Sequence, residues 1–316
     1  MTVLKMEVTA ARRSFLCDIG FWADRTALHE AASQGRSLQL KQLIEAGASV
    51  NMVTVDNITP LHEACIQARP SCARMLLEAG AQVDVRTIHG STPLCHACAS
   101  GSLECTELLL QHGAKVNPSL TALTASPLHE ACIQGWTLEL PVSLIGSLWL
   151  TRRLLPGNVD IVRLLISKGA QLEAYDVHFG PPLHIACAKG QVDCVRELLL
   201  AGANVNSVKF HETALHHAAR ANMTDMIELL VEFGANVFSS DNLARKPVDY
   251  TSPVSPSCIC LQFYESNPLS LQQLCRIRIR GTFGTRASDV ICRLDTSQRI
   301  KSYLQYCGHA SATAVV

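Results

Sequence analysis

The sequence lacks the apolar run of at least about 18 residues that a membrane-spanning helix requires, so no transmembrane segment is predicted. It also lacks an excess of charge of either sign. Lys+Arg and Asp+Glu both number 27, which excludes the basic footprint typical of nucleic-acid binding. The first 20 residues contain neither the apolar core nor the cleavage site of a signal peptide. The 14 cysteines are therefore interpreted as reduced, small core residues of a cytoplasmic or nuclear protein.

A short motif that recurs along the chain is the strongest signal in the sequence. Its clearest copy is TPLHEAC at residues 59–65, and the central Leu or Val of the copies falls at positions 28, 61, 94, 128, 183, 215 and 248. A Gly-Ala pair recurs in the same register, with its Gly at positions 47, 80, 113, 169, 202 and 234. Each Thr-Pro is expected to begin an inner helix, because Pro suits the first turn and the Thr hydroxyl can cap a free amide. Each Gly is expected to end an outer helix.

The motif and its period resemble the ankyrin repeat. This resemblance implies an all-α fold, an ankyrin-repeat solenoid of six to seven repeats over residues 21–250, preceded by an N-terminal extension of residues 1–20. The segments between repeats are expected to project as hairpin-like fingers, and stacking is expected to supply the stability that one repeat lacks. The resemblance also implies that the recurring histidines hydrogen-bond between adjacent repeats; they are His29, His62, His129, His184 and His216.

The repeat register gives a reactive-looking pair of residues a structural explanation. Cys95 and Cys98 imitate a redox or zinc motif, but other copies place His at the first position and Cys or Ala at the second, so helix packing is the preferred interpretation. No nucleophile with a base, no phosphate loop and no pair of carboxylates stands apart from the repeats. We therefore predict no catalytic residue, no metal site and no cofactor.

One repeat is interrupted. The 55-residue gap between positions 128 and 183 exceeds the period by 22, and comparison with the next repeat places the extra residues at 136–157. The length, Glu139 and Pro141 argue against a membrane segment, and the segment is more apolar than most functional lids. We interpret it as a transcript-level insertion in the fourth repeat, such as an alternative splice product.

The C-terminal part carries an apolar stripe without enough protein to bury it. Residues 251–265 are interpreted as a linker followed by a cap of the stack. A helix is predicted from its N-cap Ser270 to about Arg280, before Gly281, and a second over residues 297–306. On the first helix a stripe is predicted from Leu271, Leu274, Cys275 and Ile279. Because only about forty residues follow the linker, the stripe favours a partner. A plain capping helix of the stack is the alternative.

The spacing of Ser270, Leu271, Cys275 and Ile279 matches the elongin-binding box that begins a suppressor-of-cytokine-signalling (SOCS) box. A SOCS box over residues 266–306, with residues 307–316 as a tail, would be a small helical domain. By resemblance, the predicted elongin C-binding residues are Leu271, Leu274, Cys275 and Ile279, with elongin B alongside.

The segment from residue 294 to 306 resembles the cullin-selecting half of a SOCS box, with Asp295 and Ser297 where the usual form has proline. Its predicted cullin-binding residues are Leu294, Ile300, Tyr303 and Leu304. Ankyrin repeats followed by a SOCS box resemble the ankyrin repeat and SOCS box protein family. This resemblance implies a non-catalytic substrate-recognition subunit of an elongin B/C–cullin-5 RING E3 ubiquitin ligase, which brings a protein substrate to ubiquitination and proteasomal degradation.

The substrate is expected to contact the finger tips and the concave face of the repeats. Aromatic and amphipathic rings at adjacent tips would form a ridge, and such side chains dominate interface energetics. The candidates are His89, His178, Phe179, Phe210 and His211. Packing of Phe179 or Phe210 against a neighbouring finger is an equal alternative.

Two other classes of protein remain to be separated from a ligase receptor. A non-degradative ankyrin scaffold would hold its partner without recruiting elongins, so co-purification with elongins B and C discriminates the two. A repeat-associated enzyme would need a catalytic constellation that the sequence does not contain.

Overall fold

The computed structural model describes residues 25–119, 125–133 and 157–307. The chain divides between Lys115 and Val116 into two compact units. Over its described residues, 25–115, the first unit contains three helix pairs. The helices are α1 (Ala27–Gln34), α2 (Ser37–Glu45), α3 (Pro60–Ile66), α4 (Pro70–Glu78), α5 (Pro93–Ala99) and α6 (Leu103–Gln111).

The second unit continues the pattern and then departs from it. Its repeat helices are α7 (Pro127–Ile133), α8 (Gly157–Ser167), α9 (Pro182–Ala188), α10 (Val192–Leu200), α11 (Ala214–Arg220) and α12 (Thr224–Glu232). A ribbon of two short strands, β1 (Val208–Lys209) and β2 (Glu212–Thr213), lies between α10 and α11. After a 3-10 helix at Pro247–Tyr250 come α13 (Pro256–Ser266), α14 (Leu271–Phe283), a 3-10 turn at Gly284–Arg286, α15 (Ala287–Arg293) and α16 (Gln298–Leu304).

The inner helices begin as the repeated motif predicts. In α3, Thr59 is the N-cap, its hydroxyl accepts from the His62 amide, and Pro60 occupies the first turn. Thr92 caps α5 in the same way by accepting from the amide of Cys95. A capped first turn satisfies amides that the helix itself cannot pair.

The core of each unit consists of the small and branched residues of the motif. The motif leucines of the inner helices are at most 2% exposed, and they are Leu28, Leu61, Leu94, Leu128, Leu183 and Leu215. Alanine and cysteine fill the adjacent positions, and Cys95 and Cys98 are both buried there. The small side chains let neighbouring inner helices approach closely, so each repeat buries the apolar face of the next. The predicted all-α ankyrin fold is confirmed.

Four of the five recurring histidines hydrogen-bond to the adjacent repeat, as the resemblance implied. At the fifth, His62, the ring Nε2 has no hydrogen-bond partner within the described residues. Within the first unit, His29 Nε2 donates to the carbonyl of Ile58 at 3.0 Å. Within the second, the corresponding bonds run from His129 to Gly180 (2.8 Å), from His184 to Glu212 (3.2 Å) and from His216 to Arg245 (3.4 Å). His62 makes a T-shaped ring contact with His96, with centroids 5.6 Å apart.

Two histidines of the inner helices, buried His62 and partly buried His217, are held in their neutral form, so the fold is expected to lose stability in mild acid. Burial, and then the His96 ring, lower the pKa of His62 to about 3. Burial, and then His184, lower the pKa of His217 to about 4. Below pH 6.5 the unfolded chain binds protons that the folded chain does not. The contribution of these histidines to the free energy of unfolding is therefore complete above pH 6.5 and is lost as the pH falls toward the pKa of the folded state. Each such histidine is expected to remove about 1 kcal/mol between pH 6.5 and 5.5.

The measurement is denaturant unfolding at several pH values between 5 and 8, for the wild type and for His217→Gln. The variant removes one titrating group, so its stability is expected to fall less steeply below pH 6.5. Equal slopes for the two proteins would contradict this account.

Three C-terminal predictions need correction. The linker, predicted at residues 251–257, is shorter than expected, because Ser255 caps α13, which begins at Pro256. Helix α14 does not end before Gly281 but continues to Phe283. A glycine without a positive φ is tolerated inside a helix at a modest cost, and the chain turns only at Gly284, where φ is +52°. Helix α15 was not predicted, and the second predicted helix is shorter, at Gln298–Leu304.

Residues 136–156 of the predicted insertion lie outside the described residues, and Gly157 begins α8. The predicted extension at residues 1–20 and the tail beyond Cys307 also lie outside them. Within the described ranges, no helix has the length and apolarity needed to cross a membrane.

Candidate partner-docking surfaces

The first turns of α14 present an exposed apolar edge. Ser270 caps the helix: its hydroxyl accepts from the amide of Gln273, whose side chain in turn accepts from the Ser270 amide at 2.9 Å. Leu271 is 77% exposed, Leu274 is 47% exposed and Cys275 is exposed as well. These three predicted elongin-binding residues lie at i, i+3 and i+4, which places them on one side of the helix. Their side chains lie largely in solvent, where apolar surface is unfavourable without a partner.

The opposite face of α14 is held by a buried arginine. Arg276 is 1% exposed, and its guanidinium donates to the Glu232 carboxylate at 3.0 Å. The rings of Tyr303 and Tyr306 lie 4.5 Å and 3.8 Å from the guanidinium carbon. Tyr306 also stacks on Phe233 at 3.9 Å. The carboxylate and the two aromatic faces offset part of the cost of burying this charge. The Nε and Nη1 atoms of Arg276 have no hydrogen-bond partner within the described residues.

A second arginine extends this contact. Arg280 is 7% exposed and donates to two carbonyls, that of Leu304 at 3.1 Å and that of Leu200 at 2.6 Å. Leu200 ends α10, and Glu232, the partner of Arg276, ends α12. Both cations therefore lie at the C-termini of outer repeat helices, where unpaired carbonyls and the helix dipole favour positive charge. We call this set of contacts the arginine junction.

The predicted cullin-binding residues divide between a small core and the surface. Leu304 is buried with Ala287 and Ile291, and Leu294 and Tyr303 pack against that core together with the elongin-box residue Ile279 and with Phe283. In contrast, Ile300 is 49% exposed. Ser297, which stands where proline is usual, caps α16 by accepting from the amide of Ile300. The structure thus places Ile279 with the cullin half and apart from the exposed edge of Leu271, Leu274 and Cys275.

Four of the predicted substrate contacts lie at finger tips of the second unit, in two pairs that are adjacent in the sequence. His178 is exposed and its ring lies 6.5 Å from that of half-buried Phe179. Phe210 and His211 form the two-residue turn between β1 and β2, with φ values of +49° and +67°. His89 is exposed in the first unit.

The turn at Phe210 and His211 is unfavourable for these residue types. Two-residue hairpin loops with both φ angles positive strongly prefer Asn or Gly, because a side chain in this conformation costs about 1–2 kcal/mol. Phe210 is 67% exposed, so burial of its ring within the chain does not offset that cost. Folding alone does not account for a phenylalanine at this tip.

A polar network next to this tip was missed by the sequence analysis. The ring of Tyr250 lies under two guanidiniums, those of Arg220 at 4.6 Å and Arg245 at 4.5 Å. Arg220 pairs with Glu212 at 2.6 Å, and Arg245 pairs with Asp241 at 2.9 Å. The carboxylate of Asp241 accepts from the amide two residues on, that of Leu243, as Asp176 accepts from that of His178. Alignment of the finger tips on this feature would have added Leu243 to the candidate contacts His178 and Phe210.

The carboxylates of this network are held in their charged form. Burial alone would raise the pKa of Glu212, but the hydrogen bond and the charge of Arg220 hold it below its usual value. The hydroxyl of Tyr250 donates to Asp241 and holds the pKa of that carboxyl well below its usual range. The network is therefore a set of charge pairs at neutral pH.

Comparisons with known proteins agree with the architecture. A family model described as ankyrin repeats matches three stretches, residues 10–87, 83–140 and 153–243, which leaves residues 141–152 between matches. A model described as the SOCS box matches residues 267–305. Repeats that bind other proteins, followed by a SOCS box, define the class of substrate-receptor adaptors of E3 ubiquitin ligases, and a SOCS box in general implies binding to elongins B and C and to a cullin.

The chain belongs to the ankyrin repeat and SOCS box protein family. It is 54% identical to ankyrin repeat and SOCS box protein 13 of Homo sapiens, over 95% of this chain and 100% of that protein. It is 48% identical to ankyrin repeat and SOCS box protein 5 of Oryctolagus cuniculus, over 91% of this chain and 80% of that protein. Among solved structures, the human ASB11 ankyrin repeat domain matches with a TM-score of 0.67 and 37% identity, covering 78% of this chain and 100% of that one.

Proposed function

We propose that this protein is the substrate-recognition subunit of an elongin B/C–cullin-5 RING E3 ubiquitin ligase that works in the cytoplasm or nucleus. Its SOCS box binds elongin C, with elongin B alongside, and recruits cullin-5 and its RING subunit. Its ankyrin repeats bind a protein substrate. The chain contributes no catalytic group: it raises the effective concentration of the substrate beside ubiquitin that is already activated on another protein.

The observation that carries this proposal is the exposed edge of α14. Leu271, Leu274 and Cys275 are exposed on a helix whose other side is held by Arg276 and Arg280. Because contacts on the opposite face fix α14, its apolar edge is presented in one orientation, which reduces the entropy cost of docking. Complete burial of one leucine contributes about 1.5–3 kcal/mol, so two leucines and a cysteine supply enough for a specific contact.

The cullin half supports the proposal in a different way. Leu294, Tyr303 and Leu304 pack in the small core, so we assign them the role of shaping α16. Ile300 is the exposed apolar residue of the set and is proposed to touch cullin-5 directly. Ser297 replaces a helix-starting proline with a side-chain cap, which begins the helix at the same place by another means.

The first test is co-purification with elongins B and C. Leu271→Asp and Cys275→Asp place a charge in the expected pocket on elongin C, and a buried unpaired charge costs at least about 3 kcal/mol, so elongin affinity is expected to fall about 100-fold. Leu38→Asp is the matched control, because Leu38 is 71% exposed in the first repeat unit. It is expected to retain elongins.

The same preparation tests the cullin half. Ile300→Asp is expected to keep elongins and lose cullin-5. If the wild-type chain retains no elongin, the ligase proposal is wrong and a non-degradative ankyrin scaffold takes its place. If Leu271→Asp and Leu38→Asp behave alike, the exposed edge of α14 is not the docking surface.

A further inference from the structure

A groove lies between two neighbouring finger tips at the end of the repeats. One wall is the β1–β2 hairpin, and the other is the loop of residues 241–245. The groove has a volume of about 260 Å³ and is lined by Lys209, Phe210, Glu212, His217, Asp241, Asn242, Leu243 and Arg245. We call it the finger groove.

The finger groove has an apolar side chain on each wall. Phe210 is 67% exposed on the hairpin and Leu243 is 68% exposed on the opposite loop. The Phe210 backbone has a φ of +49°, a conformation that asparagine or glycine adopts more easily than phenylalanine. A large ring in an unfavourable turn, with most of its surface in solvent, indicates a residue retained for contact with another molecule.

The charges of the groove favour an acidic occupant. Its two carboxylates are already paired: Glu212 with Arg220 and Asp241 with Arg245. Burial keeps the pKa of His217 at about 4, so this ring is neutral at physiological pH. The Lys209 ammonium lies over the Phe210 ring at 5.4 Å. Glu212, which faces Lys209 across the hairpin, pairs with Arg220 instead, and within the described residues no ion pair of Lys209 is found. The charge that the groove offers to a ligand is therefore positive.

Lys209 is also held in place. Its methylene chain lies against Gly180 of the preceding finger, where a Cβ would come within 2.9 Å of the lysine Cδ. The glycine leaves room for the lysine stem to cross the neighbouring tip. A lysine supported along its stem loses less conformational entropy when it pairs with a carboxylate.

We propose that the finger groove binds an extended segment of a protein in which a large apolar side chain stands next to an Asp or Glu. The apolar side chain packs between Phe210 and Leu243, and the carboxylate pairs with Lys209. The segment would belong to the ubiquitination substrate, so this assignment rests on the proposed function. It names the chemistry that the repeats recognise.

The test is selection of a random nine-residue peptide library on the purified full-length chain. Peptides with a large apolar residue beside Asp or Glu are expected to be enriched. For the best peptide, Phe210→Asn is expected to lower affinity at least about 10-fold while the melting temperature stays the same or rises, because Asn suits the turn better. Lys209→Glu is expected to reverse the preference and select peptides with Lys or Arg at the charged position.

Two control variants match these changes in chemistry but lie elsewhere. Lys168→Glu reverses an exposed charge at the end of α8, and Phe263→Gln removes a phenylalanine that is 57% exposed on α13. Both are expected to keep the affinity and the preference of the wild type.

The proposal is overturned if the library gives no such sequence, if basic peptides win on the wild type, or if Phe210→Asn and Lys209→Glu bind like the controls. These outcomes are independent of the elongin test. If the chain retains elongins but selects no acidic-apolar peptide, only the proposal for the finger groove is overturned. If it selects such peptides but retains no elongins, the ligase proposal is overturned.

Discussion

Replacing Gly202 with alanine is expected to separate the SOCS box from the ankyrin repeats, whereas the same change at Gly169 costs only about 1 kcal/mol. Both glycines follow an outer helix with a positive φ, +96° at Gly202 and +82° at Gly169. A Cβ at Gly169 would meet no atom within 4 Å. A Cβ at Gly202 would lie 2.6 Å from the carbonyl oxygen of Gly284 and 2.9 Å from the amide nitrogen of Thr285.

The obstacle at Gly202 is backbone, which cannot rotate away as a side chain can. Overpacking of this kind costs about 1–3 kcal/mol in addition to the strain that the two glycines share. The loss of stability is expected to concentrate in α14, α15 and α16. Hydrogen exchange measured for each segment detects it as faster exchange in these helices. Equal exchange in these helices for Gly202→Ala and Gly169→Ala would show that the close approach is not needed.

The second large effect is expected at the arginine junction. Arg276→Met removes the cation that pairs with Glu232 and that lies over Tyr303 and Tyr306, and it keeps much of the side-chain volume. Breaking a buried ion pair by removing one partner typically costs about 3 kcal/mol or more. The Glu232 side chain is 27% exposed and can still reach water, so the loss is expected near the lower end of that range.

A double-mutant cycle with Glu232→Gln separates the ion pair from the packing. If the ion pair is the main contribution, Glu232→Gln should lower the free energy of unfolding of the wild type much more than that of Arg276→Met. Denaturant unfolding supplies the free energies and hydrogen exchange supplies the location. If the two substitutions lower the free energy of unfolding additively, the stabilisation by Arg276 comes from the tyrosine rings alone.

These two predictions bear on how the proposed ligase works. Both Gly202 and the arginine junction hold the exposed edge of α14 at one position relative to the last repeats of the second unit. Ubiquitin transfer depends on proximity, so a receptor that holds its two docking surfaces rigidly keeps the substrate within reach. Loosening the junction is expected to reduce substrate ubiquitination more than it reduces elongin binding.

The repeats could be predicted from sequence because their signals are local. The cap at Thr59, the proline at the first turn and the bonds of the recurring histidines all follow from residues in one or two successive copies of the motif. The start of α14 was predictable for the same reason, since Ser270 and Gln273 form its cap within one turn. The end of α14 was not, because a glycine at 281 only weakens a helix and tertiary contacts of Arg280 continue it.

The sequence by itself determined the class of protein, the helix pairs, the buried leucines and cysteines and the first turn of α14, because each depends on spacing within about one repeat. Only the tertiary structure decided which residues of the C-terminal stripe face outward. On a helical wheel, Arg276 and Arg280 look like a solvated face and Ile279 like part of the apolar stripe. Contacts with residues between 24 and 80 positions away bury the two arginines, and Ile279 turns toward the small core. Such distant partners leave no periodic trace in the sequence, so the outward edge of Leu271, Leu274 and Cys275 is a property of the fold.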